Sequence, residues 1–207
     1  MTLGNLRTAV RERLDDPTFD TIKLDRWINW VIQDICSRAD FPFKNTYTTF
    51  DTIVSDYDYL FSSIATDIEK VSSVLDTTND IQLEYITPEE FDTVTLSATD
   101  NSKPYYWTVT DTELKLHPTP DGIYTIKVNY IKTINDLLNS TDIPVIPDKW
   151  SEIIILGAYQ KALEWNDDFN YASVIEGQFE RKLSRMISSS DKTSGQDQII
   201  DWYRPEI

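Results

Sequence analysis

The hydrophobic period changes twice along this chain, and that switch constrains the fold more than any other feature of the sequence. Near the N-terminus Leu3, Leu6, Val10 and Leu14 recur at i, i+3, i+7 and i+11, one apolar stripe on an α-helix. Thr2 is placed to cap that helix, and Pro17 follows its end. Leu24, Trp27, Ile28, Val31 and Ile35 repeat the spacing, with Asp20 or Thr21 available as cap. Phe41-Pro42-Phe43 closes the segment, because the residue before proline avoids the α region.

From Thr46 the period becomes two. Thr46–Val54 is rich in β-branched and aromatic residues, and Val71–Leu75, Ile81–Ile86, Tyr105–Val109 and Leu114–Leu116 read as further short strands. Ile123–Ile131 alternates, with Tyr124, Ile126, Val128 and Tyr130 on one face. Pro120-Asp121-Gly122 reads as the hairpin turn before it, with glycine supplying positive φ. Thr87, Pro88 and Glu90 occupy N-cap, N1 and capping-box positions for one small helix. The middle of the chain is therefore expected to be an antiparallel β module of about six or seven strands.

The helical period returns at Pro147. Trp150, Ile153, Ile154, Leu156, Ala158, Tyr159, Ala162, Leu163 and Trp165 cover most of a helix circumference, so this helix is expected to be buried on several sides, by its own fold or by neighbouring subunits. Asn166-Asp167-Asp168 predicts a tight turn that caps a last helix striped by Ala172, Ile175, Phe179, Leu183 and Met186. Ser188–Asp197 reads as a polar linker, followed by the apolar residues Ile199, Ile200, Trp202 and Tyr203.

The expected fold class is α+β: a four-helix bundle formed by N- and C-terminal helical pairs (1–45 and 146–187), with an antiparallel β module inserted at 46–145 and an extended tail at 188–207. Charge follows the same division. The net charge is −16, but residues 1–45 balance to zero while 46–145 carry five basic and seventeen acidic residues. Such an acidic chain lacks the basic footprint that grips nucleic acid. No run of about 18 apolar residues is present to span a membrane.

Catalytic constellations are missing from the sequence. There is no GxSxG, Walker loop, HExxH or CxxC, and the acidic middle lacks calcium-loop spacing. The single cysteine, Cys36, reads as a helix-packing residue. The single histidine, His117, reads as a solvated turn residue ahead of Pro118. Asp167 and Asp168 read as a helix cap. No catalytic residue, metal or cofactor is expected. Arg181, Lys182 and Arg185 form a basic cluster that complements the helix dipole or meets an acidic partner surface.

Three stretches carry a family resemblance: Leu24-Asp25-Arg26-Trp27-Ile28-Asn29; Leu116-His117-Pro118-Thr119-Pro120-Asp121-Gly122-Ile123-Tyr124 followed by Tyr130; and Pro144–Trp150 leading to Ile155-Leu156-Gly157-Ala158 and Ala162-Leu163-Glu164-Trp165. In that order and spacing they resemble phage head-to-tail adaptor proteins, especially the tubular adaptors of short-tailed phages, over most of residues 1–187. The resemblance implies a structural protein of the virion, assembled in the host cytoplasm as a homo-oligomeric ring, usually a dodecamer, below the portal protein. It implies that helical bundles build the ring, that β modules decorate it or meet a downstream tail or nozzle protein, and that DNA passes through the channel without specific binding. No membrane and no catalysis are implied. On this reading Ile199, Ile200, Trp202 and Tyr203 dock on the portal, while Trp150, Ile154, Tyr159, Trp165, Arg181 and Arg185 are candidates for the subunit interface. The alternative is an acidic β-module binding protein that recognises a partner protein or a surface glycan through aromatic residues such as Tyr105-Tyr106-Trp107. An enzyme with scattered carboxylates, such as a glycosidase, is the third reading.

Overall fold

The computed structural model describes residues 1–97 and 101–191. In chain order the elements are α1 (Leu3–Leu14), α2 (Thr21–Ser37), β1 (Asn45–Asp51), β2 (Asp58–Leu60), α3 (Phe61–Ile64), β3 (Ile68–Asp76), β4 (Ile81–Gln82), β5 (Glu84–Tyr85), α4 (Pro88–Ser97), β6 (Tyr106–Thr110), β7 (Glu113–His117), β8 (Thr125–Lys132), α5 (Ser151–Trp165) and α6 (Phe169–Asp191). The fold class is α+β. Two compact units divide the chain: Met1–Phe43 together with the chain from Ile134 onward, and Lys44–Thr133.

In the helical unit α5 packs against α1, α2 and α6. Every residue from Ile153 to Tyr159 is buried, so its own fold encloses the helix that is apolar all round. The stripes predicted for α1, α2 and α6 supply the facing surfaces and merge into one core. Each fully buried Leu, Ile or Phe there contributes about 1.5–3 kcal/mol. The helix ends follow local chemistry. Thr2 Oγ1 accepts from the Asn5 N–H at 3.3 Å. Asp20, and not Thr21, caps α2, accepting from the N–H groups of Ile22 and Lys23 at 2.8 and 3.3 Å. Asp168 caps α6 through the Tyr171 N–H at 3.2 Å. That helix also runs four residues into the predicted linker. The Ser188, Ser189 and Ser190 hydroxyls donate to the carbonyls of Ser184, Met186 and Ile187, a bonding pattern that an α-helix accommodates.

The chain from Ile134 to Ile146 runs with the helices, whereas the sequence pattern alone puts this boundary at 145. Leu137 and Ile146 are buried in the helical core. The Asn29 amide donates to the Leu137 carbonyl at 3.0 Å and accepts from the Leu137 N–H at 2.9 Å. At the start of α1, the N–H groups of Leu3 and Gly4 donate to the carbonyls of Asp142 and Ser140 at 2.8 and 2.9 Å, which satisfies donors that a helix terminus leaves open. None of these contacts has a period, so the sequence pattern does not reveal them.

The β unit has two four-stranded sheets, ordered β1-β8-β3-β4 and β2-β7-β6-β5. All pairs are antiparallel except β5–β6. Tyr59, Val74, Trp107, Leu114, Leu116, Ile126, Val128 and Tyr130 form the core, drawn from both sheets. The alternation of β8 comes out as predicted, with Ile126, Val128 and Tyr130 inward. The first and last strands are neighbours: Asn45 pairs with Ile131.

Two turn expectations are corrected. β7 and β8 belong to different sheets, so Pro120-Asp121-Gly122 is a crossing between sheets and not a hairpin, and Gly122 lies outside the left-handed φ region. The tight hairpin joins β6 to β7, with Asp111 at φ 53°. Ile81–Ile86 likewise splits into two-residue strands, one on each sheet. Inward alternation is the same whether consecutive strands pair or switch sheets, so periodicity does not distinguish the two. The capping box of α4 forms as predicted: Glu90 Oε2 accepts from the Thr87 N–H at 2.9 Å, and Thr87 Oγ1 accepts from the Glu90 N–H at 3.3 Å.

Candidate functional site

The residues with chemical potential are used for packing. Cys36 is buried in the helical core. His117 is not the solvated turn residue its sequence position implies. It is 95% buried at the end of β7, edge-on to Phe91 at 5.9 Å and stacked with Tyr106 at 6.5 Å, and burial pushes its pKa down, toward neutral imidazole. Asp168 serves α6 as a cap, and Asp167 holds the turn with φ 60°. Among the described residues no group of three or more His, Cys, Asp or Glu is placed to hold a metal ion. Also among them, no helix is long and apolar enough to cross a membrane.

What the helical unit does present is apolar surface. Ile22 and Trp30 on α2, Trp165 at the end of α5, and Phe169 and Val174 on α6 are each more than half exposed. Trp165 makes ring contacts within the unit. Its ring lies 6.3 Å from that of Trp27, which lies 5.7 Å from Phe19, and Lys23 Nζ sits 3.8 Å above it. A cation over an indole face adds about 0.5–1 kcal/mol at an exposed site. Below the turn, Tyr159 and Tyr171 meet edge-to-face at 6.2 Å. Scattered exposed apolar residues are ordinary, whereas contiguous apolar and aromatic ones form the cores of contacts between proteins.

Of the predicted interface residues, the structure puts Trp165, Arg181 and Arg185 at the surface, and Trp150 half-buried. Ile154, at 0% exposure, and Tyr159 are spent inside the unit's own core and offer no surface to a neighbour. Lys182 of the basic cluster ion-pairs with Glu152, which Arg13 also approaches at 3.4 Å. Ile199, Ile200, Trp202 and Tyr203 lie outside the described residues. Sequence reasoning missed Ile22, Trp30, Phe169 and Val174. The signal was available: each is a large apolar residue standing off its helix's buried stripe.

The β unit carries two further surfaces. The loops after β1 and before β8 are tied together by bonds from the Thr52 N–H to the Tyr124 carbonyl (2.9 Å), from Thr52 Oγ1 to the Gly122 carbonyl (3.0 Å) and from the Ser55 N–H to the Pro120 carbonyl (2.8 Å). This hydrogen-bonded tip leaves Ile53, Val54 and Ile123 exposed. Elsewhere a groove of about 500 Å³ is lined by Phe61, Val71, Tyr85, Trp107 and Val109 together with Glu69, Lys70 and Asp111. Tyr85 packs edge-on to Trp107 at 4.9 Å.

The helical unit thus carries exposed aromatic residues, and the β unit is acidic and contains no arginine. The family model of the SU10 adaptor protein matches residues 1–205. The chain belongs to the SU10 adaptor protein family. It is thus a phage adaptor, a structural component of the virion, from a family of structural proteins and not of enzymes. No curated protein matches this adaptor.

Proposed function

We propose that this adaptor assembles as a ring, of twelve copies, that joins the portal to the tail and leaves a channel for DNA. The observation that carries the reading is the exposed aromatic surface of the helical unit around Trp165 and Phe169. In a closed ring each subunit presents two different faces, one to each neighbour, and aromatic-rich surface is what the core of such a contact requires. Arg181 and Arg185, which make no ion pair among the described residues, are available to an acidic neighbouring surface. The tail residues Ile199, Ile200, Trp202 and Tyr203 dock on the portal; burying side chains of that size contributes about 1.5–3 kcal/mol each, and twelve copies bind together where one binds weakly. The acidic β unit meets the downstream tail or nozzle protein. Net negative charge keeps phosphate from sticking, so DNA slides through without specific binding.

Electron micrographs and light scattering of the purified adaptor, alone and mixed with portal rings, test this. The expected result is a ring stacked on the portal, disrupted by Trp165→Ala with Phe169→Ala and detached by truncation after Ser190. A particle that stays monomeric with and without portal overturns it. The alternative, a β module that binds a surface glycan, draws on the Tyr85–Trp107 groove, and glycan-array binding lost in Tyr85→Ala would favour it.

A further inference from the structure

A cleft of about 190 Å³ opens on the helical unit where α6 ends. Phe41, Pro42, Phe43, Pro147, Trp150 and Met186 give it an apolar lining, with the Phe41 and Phe43 rings stacked at 5.0 Å. Phe43 and Trp150 are only half-buried, so their rings keep a free face. The volume falls below the roughly 300–1,000 Å³ of pockets that enclose a whole small-molecule ligand. It suits one or two large side chains of a peptide. Ser189 and Ser190 form part of its rim, so the chain leaves the last turn of α6 at the cleft itself.

The sequence that follows supplies matching chemistry. Lys192–Gln198 contains no large apolar residue, and Ile199-Ile200-Asp201-Trp202-Tyr203 then contains four. The roughly nine residues from Ser190 to Ile199 reach up to about 30 Å when extended, ample for a cleft adjoining their starting point. On the rim stands Lys149, exposed, its Nζ 5.7 Å from the Trp150 ring centroid. Asp201, the one charge within the apolar segment, is its complement.

We propose that in the free chain this cleft seats the chain's own segment Ile199–Tyr203, with an aromatic side chain against Phe43 and Trp150 and Asp201 beside Lys149. Tethering raises the local concentration of the segment to the order of millimolar, so a contact too weak to form between separate molecules is populated within one. The cleft then competes with any outside partner for the segment and keeps its apolar residues from joining free chains to one another. This concerns the free chain and stands apart from the portal reading, since a seat in cis neither requires nor forbids a second seat on a ring.

Disulfide trapping in the full-length chain tests the proposal. Asp40→Cys, exposed beside the cleft, is combined with Arg204→Cys just past the segment. The control combines Arg204→Cys with Thr18→Cys, exposed beyond the opposite end of α2, about 25 Å away for a helix of 17 residues. Cys36 is buried. Under mild oxidation the Asp40 pair is expected to close within one chain at least tenfold faster than the control, and Trp202→Ala or Trp150→Ala is expected to abolish that excess. Trp202→Ala lies outside the folded core, so its effect does not depend on the helical unit tolerating the change. Equal rates for the two pairs, an excess that survives Trp202→Ala, or links found only between chains would each overturn the proposal. Portal attachment is scored in a separate binding assay, and neither of its outcomes alters this one.

Discussion

Replacing Gly157 with alanine sets two known effects against each other. In a helix interior, Gly→Ala by itself stabilises by about 1 kcal/mol. Here the added Cβ would lie 2.7 Å from Val31 Cγ1, 2.9 Å from Val31 Cγ2 and 3.2 Å from Phe179 Cε2. Ordinary carbon–carbon contact is about 3.5–4.0 Å. Both methyls of one valine obstruct the atom, and valine in a helix holds one χ1 rotamer about nine times in ten, so rotation offers no escape. Relief requires α2 and α5 to separate. Overpacking of this kind costs about 1–3 kcal/mol, and two contacts below 3 Å place it at the upper end. The net expectation is destabilisation by about 2 kcal/mol. Urea denaturation followed by helical circular dichroism measures it. Adding Val31→Ala removes both obstructing methyls, so the double variant should be more stable than the sum of the single effects by about 1 kcal/mol or more. A Gly157→Ala protein that gains the full propensity increment, or strict additivity with Val31→Ala, would refute the close crossing.

Asn29→Ala should destabilise the helical unit by about 2 kcal/mol or more in the same denaturation assay, because it strands a buried N–H and a buried carbonyl of Leu137; a loss under half of that contradicts the clip. Asp20→Ala should cost about 1 kcal/mol as a lost N-cap, while Thr21→Ala should cost clearly less. Burial first, then nearby carboxylates, pushes Tyr59 up to about 12 although the Ile53 N–H opposes the shift. Its stabilising contribution is therefore full below pH about 10, the tyrosine value in an unfolded chain, and is lost as pH rises toward 12; Tyr59→Phe should flatten that part of an alkaline unfolding curve. Hydrogen bonding by Lys182 is the main reason the Glu152 pKa lies below the usual carboxylate range. The stability it supplies is present above that range and is lost as pH falls through the lowered value, so Glu152→Gln should make acid unfolding shallower, and less visibly so in high salt.

The sequence carried the helices better than the sheets, for a physical reason. A stripe such as Leu24–Ile35 or Ala172–Met186 encodes both the helix and its buried face, and caps such as Asp20 and Asp168 are local chemistry. Strand pairing is not local. Leu116 and Ile126 point inward alike, and nothing in either segment says that they lie on different sheets. His117 looked exposed because it precedes a proline, and was buried by Phe91 and Tyr106, which reach it from other elements. The apolar surface around Trp165 was half legible. Trp165 itself stood out on a helix with too many apolar residues, yet Ile154 and Tyr159 from the same excess were absorbed by α1, α2 and α6, and only three-dimensional packing separates the two groups.

The pairing of Asn45 with Ile131 has an entropic consequence for the helices. While the β unit is folded, its ends are held side by side, and to the helical unit the long excursion between Phe43 and Ile134 behaves as a short loop. If the β unit melted, the same helices would have to close a floppy loop of about 90 residues, which by the logarithmic loop law costs about 3 kcal/mol more than closing one of four. The two units are therefore coupled through the chain alone: damage confined to the strands lowers the stability of the helices, with no contact between the units required to transmit it.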